Sequence, residues 1–410
     1  MFKILFLFFI NTSFADIRYS FDAYFFAQKN QLSDSIINPL NAVFKNPNLE
    51  LNADLRGEIK WKNGDHLGVL RPRLLAHNKS IDAAGVTSQE SKSQLDLTDA
   101  FYEYYWSNQI STTLGLQVYQ WGPAEFINAS NPLYHFNSRQ KSLVYKEKGQ
   151  ILLRANFSTD KENSFVLMLQ PVSNNEPEWI EEDKFSAKGI IKYEKSWTQT
   201  TNYLGLVAGI EEKSNPFVGE YFNYSPIEGF SIYADMKHAQ NRINFIPEYN
   251  GTSYNMILEN QLKNQWPTLG VYGVRWEDDY DIRLEYIYNG MGYTKDDLNS
   301  AISSAANVLS LNYAQNLKRF LKPGLEVLGQ NYVYLSYRIN EPFKFKEFNF
   351  YTRYIQSLQD DSSQVQLEFD KALFDSYLIF SNVSFANGAA DAEFRLINDW
   401  QALLGFKWGI

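Results

Sequence analysis

The sequence predicts an all-β chain: a closed antiparallel transmembrane β-barrel of about 16–18 strands, with its long loops on one side. Three observations carry that prediction. Apolar and polar residues alternate with period two along most of the chain, the alternating runs are long, and the chain is rich in aromatic residues. Of its 410 residues, 27 are Tyr, 30 are Phe and 9 are Trp. The mean hydropathy of -0.38 excludes a helical membrane protein, because each spanning helix needs about 20 apolar residues in succession.

From the N-terminus, MFKILFLFFINTSFA carries Lys3, an apolar run from Ile4 to Ile10, and Ser13-Phe14-Ala15 before Asp16. Small residues at -3 and -1 predict a signal peptide over 1–15, cleaved after Ala15, and a single domain over 16–410. The apolar run is too short for a membrane anchor, which needs about 17–25 residues. The chain has no Cys, so disulfides and Cys-ligated metals are excluded.

The strands follow. In LNADLRGEIKWK, Leu51, Ala53, Leu55, Ile59 and Trp61 share one face, and Asn52, Asp54, Arg56, Glu58 and Lys60 the other. Successive strand residues point to opposite sides, so such a segment separates an apolar surface from a charged one. The rhythm recurs in YDIRLEYIYN, EFNFYTRY and SQVQLEFDK. Most runs are about 9–13 residues, the length of a tilted membrane strand rather than the 5–6 usual in soluble sheets. Tyr and Trp at strand ends predict aromatic girdles around a lipid-facing band, and the charged face then lines the lumen. No open edge survives in hydrocarbon, so the sheet must close.

Tight turns are predicted at Asn63–Asp65, Ser107-Asn108, Thr159–Lys161, Asp278-Asp279 and Asp360-Asp361. Longer connections are predicted at Asn78–Gln94, Gly122–Gly149, Ser173–Lys184, Gln240–Gln265 and Gly290–Leu321, with a short helix near Thr294–Asn307. Gln28–Asn48 shows no alternation and reads as irregular.

One segment stands apart. Thr113–Trp121 alternates, with Gln117, Tyr119 and Trp121 on the inner face, and then breaks at Gly122-Pro123 and Asn131-Pro132. GLQVYQWGPAEFINASNPL resembles a segment of porin-like outer-membrane proteins of Gram-negative bacteria. There a Gly-x-Gln strand is followed by Trp-Gly, an acidic residue and Asn-Pro-Leu. The matching positions are Gly115, Gln117, Trp121, Gly122, Glu125, Asn131, Pro132 and Leu133, while Leu116 stands where those proteins usually carry Arg. The C-terminal WQALLGFKWGI resembles the terminal strand that barrel-assembly machinery reads, with Ile410 in place of the usual aromatic. The resemblance covers about 20 residues and implies architecture and class rather than a substrate.

These features point to passive diffusion of small hydrophilic solutes through the outer membrane, with a plugged barrel in a surface, structural or assembly role as the alternative. Pro123–Phe136 has two readings: an ordinary outer loop lying over the barrel mouth, which is the one preferred here, or a segment folded inward that narrows the pore with Glu125, Asn128, Asn131, Tyr134 and His135. Further pore-lining candidates are Arg71 and Arg73, Arg275 with Glu277, Arg283 with Glu285, Arg338, and Arg353. Rings of such charges set ion selectivity; pairing along the wall to hold register is the competing role. The partners implied are outer-membrane lipid, assembly machinery and solutes, with the oligomeric state open. A net charge of -9 argues against nucleic acid, since phosphate binding needs clustered Lys and Arg. The four His are dispersed, and phosphate loops and acidic Ca²⁺ loops are absent. No enzyme activity, metal or cofactor is expected.

Overall fold

The computed structural model describes residues 16–35, 38–133, 142–145, 149–171, 187–211, 215–240, 243–249, 254–260, 266–290, 292–306 and 327–409. The strands in chain order are β1 (Asp16–Leu32), β2 (Leu49–Asn63), β3 (His66–Ala83), β4 (Val86–Tyr105), β5 (Ile110–Gln117), β6 (Gln150–Ser158) and β7 (Asn163–Gln170). Next come β8 (Lys188–Ser196), β9 (Tyr203–Glu211), β10 (Asn215–Ile227), β11 (Phe230–Ala239), β12 (Ile243–Tyr249), β13 (Tyr254–Asn260) and β14 (Thr268–Glu277). The last are β15 (Tyr280–Asn289), β16 (Asn331–Asn340), β17 (Phe348–Ser357), β18 (Ser363–Phe374), β19 (Tyr377–Asn387) and β20 (Asn398–Gly409).

Eighteen of these form one antiparallel sheet. β1 pairs with β2 on one side and with β20 on the other, so the sheet closes on itself. β12 and β13 make a separate hairpin within the β11–β14 connection. Phe25 of β1 stacks on Phe406 of β20 at 5.0 Å between ring centroids across the closing seam.

Both termini of the ring lie at one end. The turns at that end are short: Asn63–Asp65, Trp106–Gln109, Thr159–Glu162, Glu228-Gly229, Asp278-Asp279 and Asp375-Ser376 among them. Most long connections, including 118–149, 171–187, 240–267 and 290–330, lie at the other end. Outer-membrane barrels show this same asymmetry.

The predicted faces are the observed ones. Leu114, Leu153 and Leu167 are 59%, 45% and 54% exposed on the outer wall, while Thr113, Asp235 and Glu285 are 0% exposed on the inner. Aromatic residues ring the strand ends outside: Tyr19, Trp106, Trp276 and Tyr377 at the terminal end, and Tyr272, Tyr288 and Phe385 toward the loop end.

Three local expectations are corrected. Asn78–Gln94 is no loop; the β3–β4 ladder runs on through Ser80↔Gln89 and Asp82↔Thr87 to a two-residue turn at Ala84-Gly85. Both faces are polar there, so the period-two signal vanishes although the strand continues. Within Gln28–Asn48, β1 persists to Leu32 before the irregular part begins. The tight turn expected at Asp360-Asp361 is present, between β17 and β18 at the loop end. Last, β5 stops at Gln117, so Tyr119 and Trp121 lie beyond the strand. The expected helix is α1 (Lys295–Ala306), started by reciprocal bonds between Thr294 and Asp297 at 3.2 and 3.3 Å, a capping arrangement.

Candidate functional site

The connection after β5 turns into the barrel, and local chemistry starts that turn. Gly115 has φ +132, and Asp99 Oδ1 accepts the Val118 N–H at 3.0 Å where the strand pairing ends. A Cβ on Gly115 would collide with the Ala100 carbonyl oxygen. Gly115→Ala is therefore expected to destabilise the fold by about 1–3 kcal/mol, since a left-handed conformation and a backbone clash coincide. A lower thermal midpoint of the refolded barrel checks this; an unchanged midpoint refutes it.

Past Gly122 (φ +93), the segment is braced by its own side chains. Trp121 Nε1–H donates to Ser130 Oγ at 3.1 Å, Asn128 Nδ2–H to the Ala124 carbonyl at 2.8 Å, and the Leu133 N–H to Asn131 Oδ1 at 2.9 Å. Asn131, at the break expected from Asn131-Pro132, caps that turn, and Asn128 closes the one before it.

The segment then docks on the inner wall. Glu285 of β15 accepts the N–H groups of Glu125 and Phe126 at 2.6 and 3.1 Å, and the Tyr233 hydroxyl at 2.8 Å. Asp235 of β11 accepts the Ser130 N–H at 2.6 Å. The Glu125 carboxylate receives the hydroxyls of Tyr334 and Ser336, both at 3.0 Å, and Arg283 Nε at 3.2 Å. Phe126 and Ile127 are 3% exposed among Val271, Ile287, Tyr332 and Tyr334. Fully burying such side chains contributes roughly 1.5–3 kcal/mol each. Trp121 and Leu133 pack on Leu152, Val166, Met168 and Val207, the inner faces of β6, β7 and β9.

β16 stands nine places from β5 round the eighteen-strand ring, so the segment reaches the opposite wall. Its return makes a second attachment. Val144 is buried among Tyr24, Phe380 and Leu403 of β1, β19 and β20, and its carbonyl accepts a hydrogen bond from the Arg56 guanidinium of β2. Gly122–Leu133 thus lies inside the barrel rather than over its mouth. Tyr134, His135 and Phe136 fall outside the described residues.

The remaining charges are organised in rows on facing walls. On β2–β4, Arg71 bridges Glu58 at 2.6 Å and Asp99 at 2.9 Å, while Asp54 holds both Arg56 at 2.6 Å and Arg73 at 2.7 Å. On β14–β18, Arg275 pairs with Asp281 and Glu277 at 2.9 and 2.8 Å, Arg283 with Asp281 at 3.3 Å, and Arg353 with Glu368 at 3.4 Å. Arg338 is exposed beside them on β16. Gln117 and Asn131 are each 3% exposed, at the root of the inward segment. Tyr119 there lies under the Arg154 guanidinium at 4.3 Å.

Arg71, Arg73, Arg275, Arg283 and Arg353 thus each pair along the wall, and Glu285 lies beneath the loop. Sequence reasoning places Asp54 and Arg56 on the charged face of their strand and misses Asp235 and Tyr233; alternation puts all four on the inner face but cannot name partners. At the loop-end rim, burial raises the Asp360 carboxyl, but hydrogen bonds from the N–H groups of Glu393 and Ser362 and the Ser362 hydroxyl outweigh it and hold it below the usual carboxylate range. Among the described residues, no group of three His, Asp or Glu could hold a metal ion.

No protein-family model and no curated protein matches the sequence. Solved structures do match over nearly the whole chain. OccAB1 of Acinetobacter baumannii superposes with a TM-score of 0.58 at 8% identity, covering 97% of each chain. OprD of Pseudomonas aeruginosa gives 0.52 at 10% identity, covering 97% of this chain and 95% of that one. OccK2 (OpdF) of Pseudomonas aeruginosa in complex with glucuronate gives 0.52 at 10%, covering 96% and 98%. At such identities the likeness is one of fold.

Proposed function

We propose that the chain is an outer-membrane channel through which small hydrophilic solutes diffuse, with residues 1–15 as its export signal. The observation that supports this reading is a closed ring of eighteen strands with a segment docked across its interior and paired charges on its inner walls. A barrel of this size leaves an aqueous passage unless something fills it. The solved barrels of like fold include a BenF-like porin from Pseudomonas fluorescens Pf-5 and OccK2 holding glucuronate. Small polar solutes are therefore the class we assign here, with lipid and the assembly machinery as partners in the membrane.

In this reading the passage runs between Gly122–Leu133 and the charged rows. Arg71, Arg73, Arg275, Glu277, Arg283, Arg338 and Arg353 set the field a solute crosses, with Glu125 at the inner segment; Gln117, Tyr119, Trp121, Asn131 and Glu285 shape that segment. No step breaks or makes a covalent bond, and we assign no enzyme activity. The inward segment attaches on both sides of the lumen, which favours one competing reading, a barrel closed by its own loop.

Single-channel conductance separates the two. The intact chain in a planar bilayer should give stable steps, and a variant lacking Glu125–Leu133 should give larger ones. Silence from the intact chain with large steps from the deletion would establish the closed barrel. An inserted barrel silent in both forms would end the channel reading.

A further inference from the structure

Turns at the terminal end of the barrel are mostly short and polar, such as Glu228-Gly229 and Asp278-Asp279. The β16–β17 turn, Glu341–Glu347, departs from that pattern with the sequence EPFKFKE. Phe343 is 92% exposed and Phe345 62%. Four of its residues have positive φ: Glu341 at 50, Phe343 at 57, Lys344 at 64 and Glu347 at 60. Side-chain-bearing residues rarely adopt that region, so this shape is held by its own bonds. The N–H groups of Lys344 and Phe345 donate to the carbonyls of Glu341 and Pro342, both at 3.1 Å, and the Glu347 N–H donates to Glu341 Oε1 at 3.0 Å. The rigid turn displays its apolar rings where a water-facing turn would carry Asn, Asp or Gly.

The rings continue the lipid-facing surface. On the outer wall just above, Phe369 lies 6.2 Å from Phe348 and 5.1 Å from Phe350, and Tyr337 lies 6.4 Å from Phe350. At the next terminal-end turn, Phe374 is 73% exposed. Exposed Lys344 and Lys346 alternate with the phenylalanines, and Lys371 Nζ donates to the Lys346 carbonyl at 3.4 Å. The acids nearby are Glu341, engaged by the Glu347 N–H, Glu347 at the turn's base, Asp370, held by Asn349 at 2.8 Å, and Asp375 in the next turn.

We propose that the Glu341–Glu347 turn is a phospholipid anchor. Phe343 and Phe345 enter the interfacial layer of the leaflet at the terminal end, and Lys344, Lys346 and Lys371 hold anionic phosphate headgroups. Apolar side chains such as Phe bury at the boundary of headgroups and acyl chains when Lys or Arg flank them, and basic side chains beside that layer are attracted to anionic lipid. The proposal rests on the membrane reading above.

The chain has no Cys, so Phe343→Cys takes a single environment-sensitive label. The labelled full chain is refolded into phosphatidylcholine vesicles with and without phosphatidylglycerol, and insertion is verified by conductance or protease protection. Nitroxide-bearing phosphatidylglycerol should quench the label more than nitroxide-bearing phosphatidylcholine at equal content. Lys344→Gln with Lys346→Gln should weaken that preference by about fivefold per lysine, while a label at Asp279→Cys should stay in water. An inserted barrel whose Phe343 label stays in water, or is quenched equally by both lipids, overturns the anchor. Shielding of the label by peptidoglycan fragments instead would also overturn it and assign the turn to the cell wall. A chain that fails to insert sinks the membrane reading, and this proposal with it.

Discussion

Glu285→Ala is expected to detach the inner segment and enlarge the conductance step. The carboxylate is 0% exposed and accepts three hydrogen bonds, two from the segment's backbone and one from Tyr233. A buried donor left without an acceptor costs about 1–3 kcal/mol, so the variant loses several kcal/mol at this one attachment. The loss falls on the segment rather than on the barrel, because the loop can leave for water while the strand ladder stays paired. Opening of Gly122–Leu133 should then compete with docking, seen as larger, noisier steps and faster proteolysis within the segment. Glu285→Gln keeps one acceptor oxygen but points an amide N–H₂ at a donor, and should fall between the two. Steps and proteolysis indistinguishable from the unaltered chain would show that Glu285 does not hold the segment.

Asp54→Ala should produce the largest fall in barrel stability, about 3–5 kcal/mol, the cost of removing one member of a buried ion pair. Its side chain is 0% exposed and serves both Arg56 and Arg73, whose side chains are 14% and 6% exposed. The substitution also removes a negative charge from the β2–β4 row, so the reversal potential in a salt gradient should move toward anions. Asp16→Ala is the control. Its pair with Arg18 is geometrically similar at 2.9 Å, but the side chains are 58% and 79% exposed, and such pairs are worth about 0–1 kcal/mol. A denaturant midpoint unchanged by Asp54→Ala, or shifted equally by Asp16→Ala, would refute the ranking.

Much of the fold was legible because the strands of a barrel obey a local rule. LNADLRGEIKWK shows its two faces within twelve residues, and β2 (Leu49–Asn63) has those faces. The terminal alternation in WQALLGFKWGI became β20. Legibility failed where the environment on both sides is water, as at the β3–β4 tip. It failed again at Gln117, where the strand ends because Gly115 and Asp99 redirect the chain.

The candidate site divides along the same line. The sequence by itself determined that Glu285, Arg283, Arg71 and Arg73 face inward, since neighbouring residues on a strand must point to opposite sides. Only the tertiary structure decided what they meet there. Glu285 meets the Glu125 N–H across 160 positions of chain, and Ser130 meets Asp235 across 105. A contact between such distant positions depends on the curvature of the closed ring and on the path of the loop through it. Neither leaves a trace in local periodicity, so whether a charge lines open lumen, pairs along the wall or pins a loop is settled only once the barrel closes.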